Sequence, residues 1–333
     1  MKKIAIIGAT SSLGREILNF LCDGGYKTSD IVALEANAVL GSQAAFGEED
    51  DIDLVNLNGF DFSGIDIAVF ACDEKTTKQY YHRAQEKNAK IIDCSSHFFS
   101  SPDVPMIIAG INDEQLQQAK NNIASTPLAA VTQILLPLQK VDAKYHIKRI
   151  IATTYNSTSI YGREAMDELF NQTRRIFMNE SLVDAQKVFE KQIAFNVIPQ
   201  VEDFIGDETK YEWKINAEIK KILGRDIKVH ANCAVIPAFV GCATYVNVEC
   251  ANEVAVEDVN ALMKQTKDVI VFDKKTKGGY VTLSDVQGEI EVYVSRLRQD
   301  VSVENGFSFW SVADDLRFGE AGNVYKIIRL WSK

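Results

Sequence analysis

The stretch Asn122–Gln133, NIASTPLAAVTQ, has the layout of a nucleophile turn. A strand-like apolar pair runs into a small-residue turn at Pro127, and a helix-like run, AAVTQILLPLQ, follows. Enzymes often place a nucleophile at such a turn, because the helix N-terminus stabilises a developing anion. Here the turn offers only Leu128, Ala129 and Ala130, and none of them can attack a carbonyl.

A second candidate is GATSSLGRE, between the first strand-like run and the first helix-like run. Gly8 and Gly14 take the first and last positions of G-x-x-G-x-x-G, and Ser11 takes the middle one. Glycine lets the backbone turn tightly and come close to a phosphate. Gly8, Thr10, Ser11, Ser12, Leu13 and Gly14 therefore read as a cofactor-binding loop or as a tight strand–helix turn. Glu35 ends the second strand, where an acid suits a ribose 2′-hydroxyl and repels a 2′-phosphate. The other reading of Glu35 is a solvated loop carboxylate. Asp73 and Glu74 follow the third strand and would cost roughly 2–4 kcal/mol each if aimed at a phosphate. Turned outward, they make a helix N-cap pair. Cys242 could be a displaced nucleophile with His230 or His97 as its base, but plain strand packing is the simpler reading.

The elements that must position these groups come in two textures. KIAIIG, SDIVALEA, IDIAVFAC and KIIDCSS are strands, with helices in SLGREILNFLCDGG and KTTKQYYHRAQEKNA. Continuous apolar strands alternating with helices predict a doubly wound parallel sheet. Beyond NNIAS, long strands with alternating faces and the helices GREAMDELFNQTRRIF and TKYEWKINAEIKKILG predict an α+β module with a mixed sheet. The last helix, in GEAGNVYKIIRLW, is expected to return to the first domain.

The chain of 333 residues has a formal net charge of -10, which argues against nucleic-acid and anionic-membrane surfaces. No apolar run approaches the roughly 20 residues of a membrane span. Six cysteines without C-x-x-C spacing point to free thiols in a reducing cytoplasm, with Cys72 and Cys94 as small buried hydrophobes.

The blocks IGATSSLGREIL, IIDCSSHFFSSPDVPMIIAGIN, QIAFNVIPQ, KYEWKINAEIKKILG and FWSVADDLRFGEAGNVYKI together resemble the aspartate-semialdehyde dehydrogenase family, in the same order from end to end. The resemblance implies a Rossmann-like dinucleotide-binding domain over residues 1–127, completed by a C-terminal helix over 314–333. It implies a substrate and dimerisation domain with a large mixed sheet over residues 128–313. Such enzymes interconvert aspartyl phosphate and aspartate semialdehyde with NADPH, through a cysteine thiolate.

Residue by residue, the carry-over fails at the chemistry. The family's nucleophile lies in a block similar to NPNCSTIQ. In this chain Pro127 and Gln133 match that block, and Ala129 stands at the cysteine position. The family's base lies in a block similar to RVPVFRGH. In VIPAFVGC, Cys242 stands at the histidine position and Val235 at the substrate-carboxylate arginine. Phe99 replaces the phosphate-site arginine, Ala71–Glu74 replaces a phosphate turn similar to SAGG, and Ala38–Gly41 replaces a 2′-phosphate loop similar to RSAG. Glu212 and Lys214 do match substrate-side groups; without partners they also read as a surface acid and base on a helix.

The nearest likeness is therefore to the Usg-type paralogues, which lack the cysteine. The expectation is a homodimeric pseudoenzyme, or a ligand- or partner-binding protein whose protein partner is unidentified. It would bind NAD in preference to NADP if either binds, because Ala38 and Val39 offer no cation. The alternative is an active NAD(P)-dependent oxidoreductase that uses Cys242 with a histidine.

Overall fold

The computed structural model describes residues 1–332. The chain divides into two compact units, Met1–Pro127 with the segment from Glu320 onward, and Leu128–Gly319.

The first unit holds β1 (Ile4–Ile7), α1 (Ser12–Asp23), β2 (Ile31–Glu35), β3 (Gln43–Phe46), β4 (Asp50–Asn56), β5 (Ile67–Phe70), α2 (Glu74–Glu86), β6 (Lys90–Asp93), α3 (Asp113–Gln117) and β7 (Ile123–Ser125). Its seven strands run in the order β3-β4-β2-β1-β5-β6-β7, parallel throughout except for β3 against β4. The central strands β1 and β5 are buried along their whole length, as an apolar run covered on both faces must be.

Reading continuous apolar runs misses β3 and β4. In β4, which lies between β2 and the edge strand β3, Asp50, Asp51 and Asp53 face water and Ile52 is the one buried side chain, so the strand carries no continuous apolar run. Cys72 and Cys94 are half-buried just past the ends of β5 and β6, rather than packed inside those strands.

The second unit holds α4 (Ala129–Tyr145), β8 (Ile147–Asn156), α5 (Arg163–Phe177), β9 (Phe204–Ile205), β10 (Glu208–Thr209), α6 (Lys210–Leu223), β11 (Lys228–Val235), β12 (Cys242–Cys250), α7 (Val256–Lys264), β13 (Val269–Val271), β14 (Val292–Asp300) and β15 (Gly306–Ala313). The six-stranded sheet β11-β8-β12-β15-β14-β13 is mixed: β11 with β8 and β13 with β14 are parallel, and the other pairs are antiparallel. The helix α4 lies against this sheet and is buried over most of its length. Its Pro137 has no N–H, so the Gln133 carbonyl four residues earlier loses its helical partner.

The chain then forms a π-helical stretch, Asp315–Gly322, before α8 (Asn323–Trp331). The chain rejoins the first unit at Glu320 rather than at the expected 314. Within the first unit α8 packs on α1, with the Tyr325 ring stacked on Phe20 at 5.7 Å. Among the described residues no helix is long and apolar enough to cross a membrane, and no group of three or more His, Cys, Asp or Glu is placed to hold a metal ion.

Candidate functional site

In the first unit the glycine loop is shaped by close backbone approach. Gly8 has φ +84, and a Cβ there would lie 2.3 Å from the Ala71 carbonyl oxygen. A Cβ on Gly14 would lie 2.1 Å from the Gly8 oxygen. Ser11 is the N-cap of α1: its Oγ accepts the Gly14 N–H at 2.9 Å and donates to the Gly8 and Ala71 carbonyls at 2.7 and 2.9 Å. That hydroxyl is bound within the loop and ties the ends of β1 and β5 together. Ser12 and Leu13 form the first turn of α1, whose amides have no intrahelical partner.

Above these strand ends lies a cleft of about 360 Å³, walled by Gly8, Thr10, Glu35, Ala38, Cys72 and Asp73 among others. This is the crevice where doubly wound sheets hold ligands. Ser11, Ser12, Leu13 and Gly14 support its rim rather than line it. Glu35 is not a freely solvated carboxylate: its Oε1 accepts both the amide and the hydroxyl of Thr10 at 2.7 Å. Asp73 caps α2, accepting the Thr76 N–H at 2.9 Å, and that bond holds its carboxyl below the usual range. Glu74 follows in the first turn, so the pair does cap the helix, although Asp73 still borders the cleft. Among the described residues lining the cleft there is no lysine or arginine to offset Glu35 and Asp73.

In the second unit, Ala129 opens α4 and its side chain is buried. It lies against Gly319, where an added Cβ would be 2.6 Å from the Ala129 methyl. The amide just before it, of Leu128, is held at 2.8 Å by the Glu218 carboxylate of α6. Glu218 is fully enclosed, and burial pushes its carboxyl up to about 8.

One turn further along α4, Gln133 reaches the sheet. Its Nε2 donates to the Cys242 and Ser311 carbonyls, both at 3.1 Å, and lies within reach of the Thr244 and Ser311 hydroxyls. Sheet register puts Val235, Asn156, Cys242 and Ala313 on one rung. Asn156 is the hub there: its Oδ1 takes the Tyr211 hydroxyl at 3.3 Å and lies 3.6 Å from the Cys242 thiol, and its Nδ2 donates to Thr154. Ala129, Gln133 and Cys242 were legible as positions. Asn156, Thr154, Tyr211 and Glu218 were missed. The available signal was polar residues at the core-facing positions of β8, β12 and β15, where alternation calls for apolar ones.

The geometry corrects two expectations. Glu212 and Lys214 are not a surface pair: Lys214 is buried and bridges Glu202 at 3.1 Å. Glu212 is half-buried as the N3 residue of a capping box, accepting the Thr209 N–H at 2.9 Å and, on its other oxygen, the Cys233 N–H at 3.0 Å. Cys242 gains no base from His230. That residue is exposed beside Ile151 on β8, five rungs from the Val235–Asn156–Cys242 rung, which is about 16 Å along the strands. His97 belongs to the first unit, where it packs between Tyr81 and Phe98. Burial and the nearby Asp315 carboxylate push the Cys242 thiol well above its ordinary value, opposite to what a thiolate nucleophile needs.

A parallel dinucleotide-type sheet with a glycine loop, joined to a mixed-sheet domain, defines a class that the family models name. Residues 3–119 match the semialdehyde dehydrogenase NAD-binding domain, and residues 135–318 match the semialdehyde dehydrogenase dimerisation domain. The aspartate-semialdehyde dehydrogenase of Rickettsia bellii is 36% identical over 97% of this chain and 96% of its own length. That of Aquifex aeolicus is 33% identical over 99% of this chain and 98% of its own. The crystal structure of aspartate semialdehyde dehydrogenase II from Vibrio cholerae matches with a TM-score of 0.94 at 30% identity, covering 99% of this chain and 98% of that one. The chain belongs to the aspartate-semialdehyde dehydrogenase family.

Proposed function

We propose that this chain is a catalytically silent, homodimeric member of its family, of the Usg type. The observation that carries the reading is the methyl group of Ala129 at the start of α4, where the resemblance calls for a thiolate. Without a nucleophile there is no covalent intermediate for hydride transfer to act on, and loss of such a group costs several orders of magnitude in rate. Cys242 does not take over, being buried, protonated and far from His230. Phe99 and Val235 provide no cation for the substrate's phosphate and carboxylate.

What remains is binding. The cleft of the first unit would take a nicotinamide dinucleotide weakly, NAD before NADP, because Glu35 borders it and Ala38 offers no charge to a 2′-phosphate. For the dimer, the sheet face away from α4 presents Tyr155, Tyr245 and Trp310 in ring contact, beside half-exposed Phe239, around a groove of about 680 Å³.

The test is a spectrophotometric assay with aspartate semialdehyde, phosphate and NAD or NADP. The expected result is no cofactor reduction above a protein-free control, in the wild type and equally in Ala129→Cys, since Phe99, Val235 and Cys242 are unchanged. Turnover that vanishes in Cys242→Ser would overturn the reading. A calorimetric titration with each dinucleotide tests the binding arm, and NADP binding more tightly than NAD would overturn the preference.

A further inference from the structure

A third pocket has no part in any role considered so far, and its charge runs against that of the chain. It measures about 530 Å³ and is formed in the second unit by the loop between β13 and β14 together with β14 itself. Lys274, Lys275, Lys277, Arg296 and Arg298 line it, all exposed, in a molecule whose net charge is -10. Asp273 is the one carboxylate among the described residues in its wall. That carboxylate is engaged, accepting the backbone N–H groups of Arg296 at 2.9 Å and Leu297 at 3.2 Å.

The cations are left for something else. Lys274 lies over the Phe272 ring at 4.9 Å, and Arg298 donates Nε to the Ser308 hydroxyl at 3.1 Å. Lys275, Lys277 and Arg296 have no carboxylate within ion-pair distance among the described residues. Grouping unpaired like charges destabilises a surface unless a ligand neutralises them.

The backbone is shaped to hold the group in place. Arg296 sits at φ 55 in the irregular stretch of β14 between Ser295 and Arg298, an unfavourable conformation for a side chain with a Cβ, kept by the Asp273 clasp. The loop closes on itself through Lys274 N–H to Gly279 O at 2.9 Å, and a Cβ on Gly279 would lie 2.2 Å from the Lys274 oxygen. Half-exposed Tyr280 stands at the wall as a flat apolar surface.

We infer that this pocket is an anion site that takes a phosphate chain, either inorganic or carried by a nucleotide. Lys275, Lys277 and Arg296 would supply the charge-assisted contacts, and Tyr280 a stacking face for a base.

Calorimetric titration of the full chain at low salt, with inorganic tripolyphosphate and separately with ATP, tests it. Saturable binding is expected, weakening with added salt as exposed ion contacts do. The pair Lys275→Glu and Lys277→Glu should weaken it at least about 30-fold, since each reversal removes an attraction and adds a repulsion. The pair Lys187→Glu and Lys191→Glu changes net charge equally on another surface and should leave binding intact. ATP binding more tightly than tripolyphosphate, with the gain lost in Tyr280→Ala, would identify the carrier as a nucleotide; equal affinities would identify a free phosphate chain. No saturable heat from either anion at millimolar concentration, or equal loss in the two double variants, overturns the site.

Discussion

At the scale of single residues, Glu218 shows how a buried group can escape a reading of the chain. In NAEIKKIL, nothing local tells which way an acid one turn past Lys214 will face. The fold turns it inward, and burial lifts its carboxyl to about 8, offset in part by the Leu128 N–H it accepts and then by Lys214 and Lys221. Unfolded, the same group titrates near 4.3. Between these values the native state binds more protons than the unfolded chain, so its contribution to stability is full below about 4.3 and is lost as pH rises toward 8. Urea unfolding should therefore show the wild type losing stability from pH 5 to pH 8, and Glu218→Gln, which mimics the protonated form, should flatten that slope. The difference between the two proteins is expected to be on the order of 3–5 kcal/mol at pH 8. A parallel pH dependence in both would show that Glu218 does not hold the proton.

At the scale of elements, the legible ones were those whose composition and packing agree. The apolar runs of β1, β5 and β6 are buried in the parallel sheet as expected. The helix α6 stops at Gly224, which adopts the left-handed conformation with φ 64 that glycine tolerates. The pair β3 and β4 stayed hidden because its acids face water and its pairing is set by a neighbouring strand, which no local pattern records. The same division applies to Glu212. Motif comparison marks it as a substrate group, whereas the structure uses it to close the capping box with Thr209 and to hold the Cys233 amide of β11. Thr209→Ala should cost about 1 kcal/mol and lower the melting temperature of this unit by a few degrees. An unchanged melting curve would mean the box adds nothing.

At the scale of the whole molecule, the mixed sheet has one face under α4 and another whose aromatic groove is open in the single chain. Phe239 is 45% exposed there, a large apolar side chain about half open to solvent. Its replacement in Phe239→Glu should leave the circular dichroism spectrum intact and raise the dimer dissociation constant at least about 100-fold, read by sedimentation equilibrium. A stable dimer in that variant would place the interface elsewhere. The sequence indicated a dimer only through its likeness to relatives, because alternating strands look the same whether their outer face meets water or a second subunit.

The cysteines carry a practical consequence. Burial raises the thiols of Cys72 and Cys233 to about 12 and that of Cys250 to about 11, and it lifts Cys94 and Cys242 as well. Cys233, Cys242 and Cys250 are buried as well as raised, so at neutral pH they meet an alkylating reagent only when the second unit opens. The second unit therefore carries its own internal clock. Mass spectrometry of time-resolved alkylation would report how often that unit breathes open, without any label having to be engineered in.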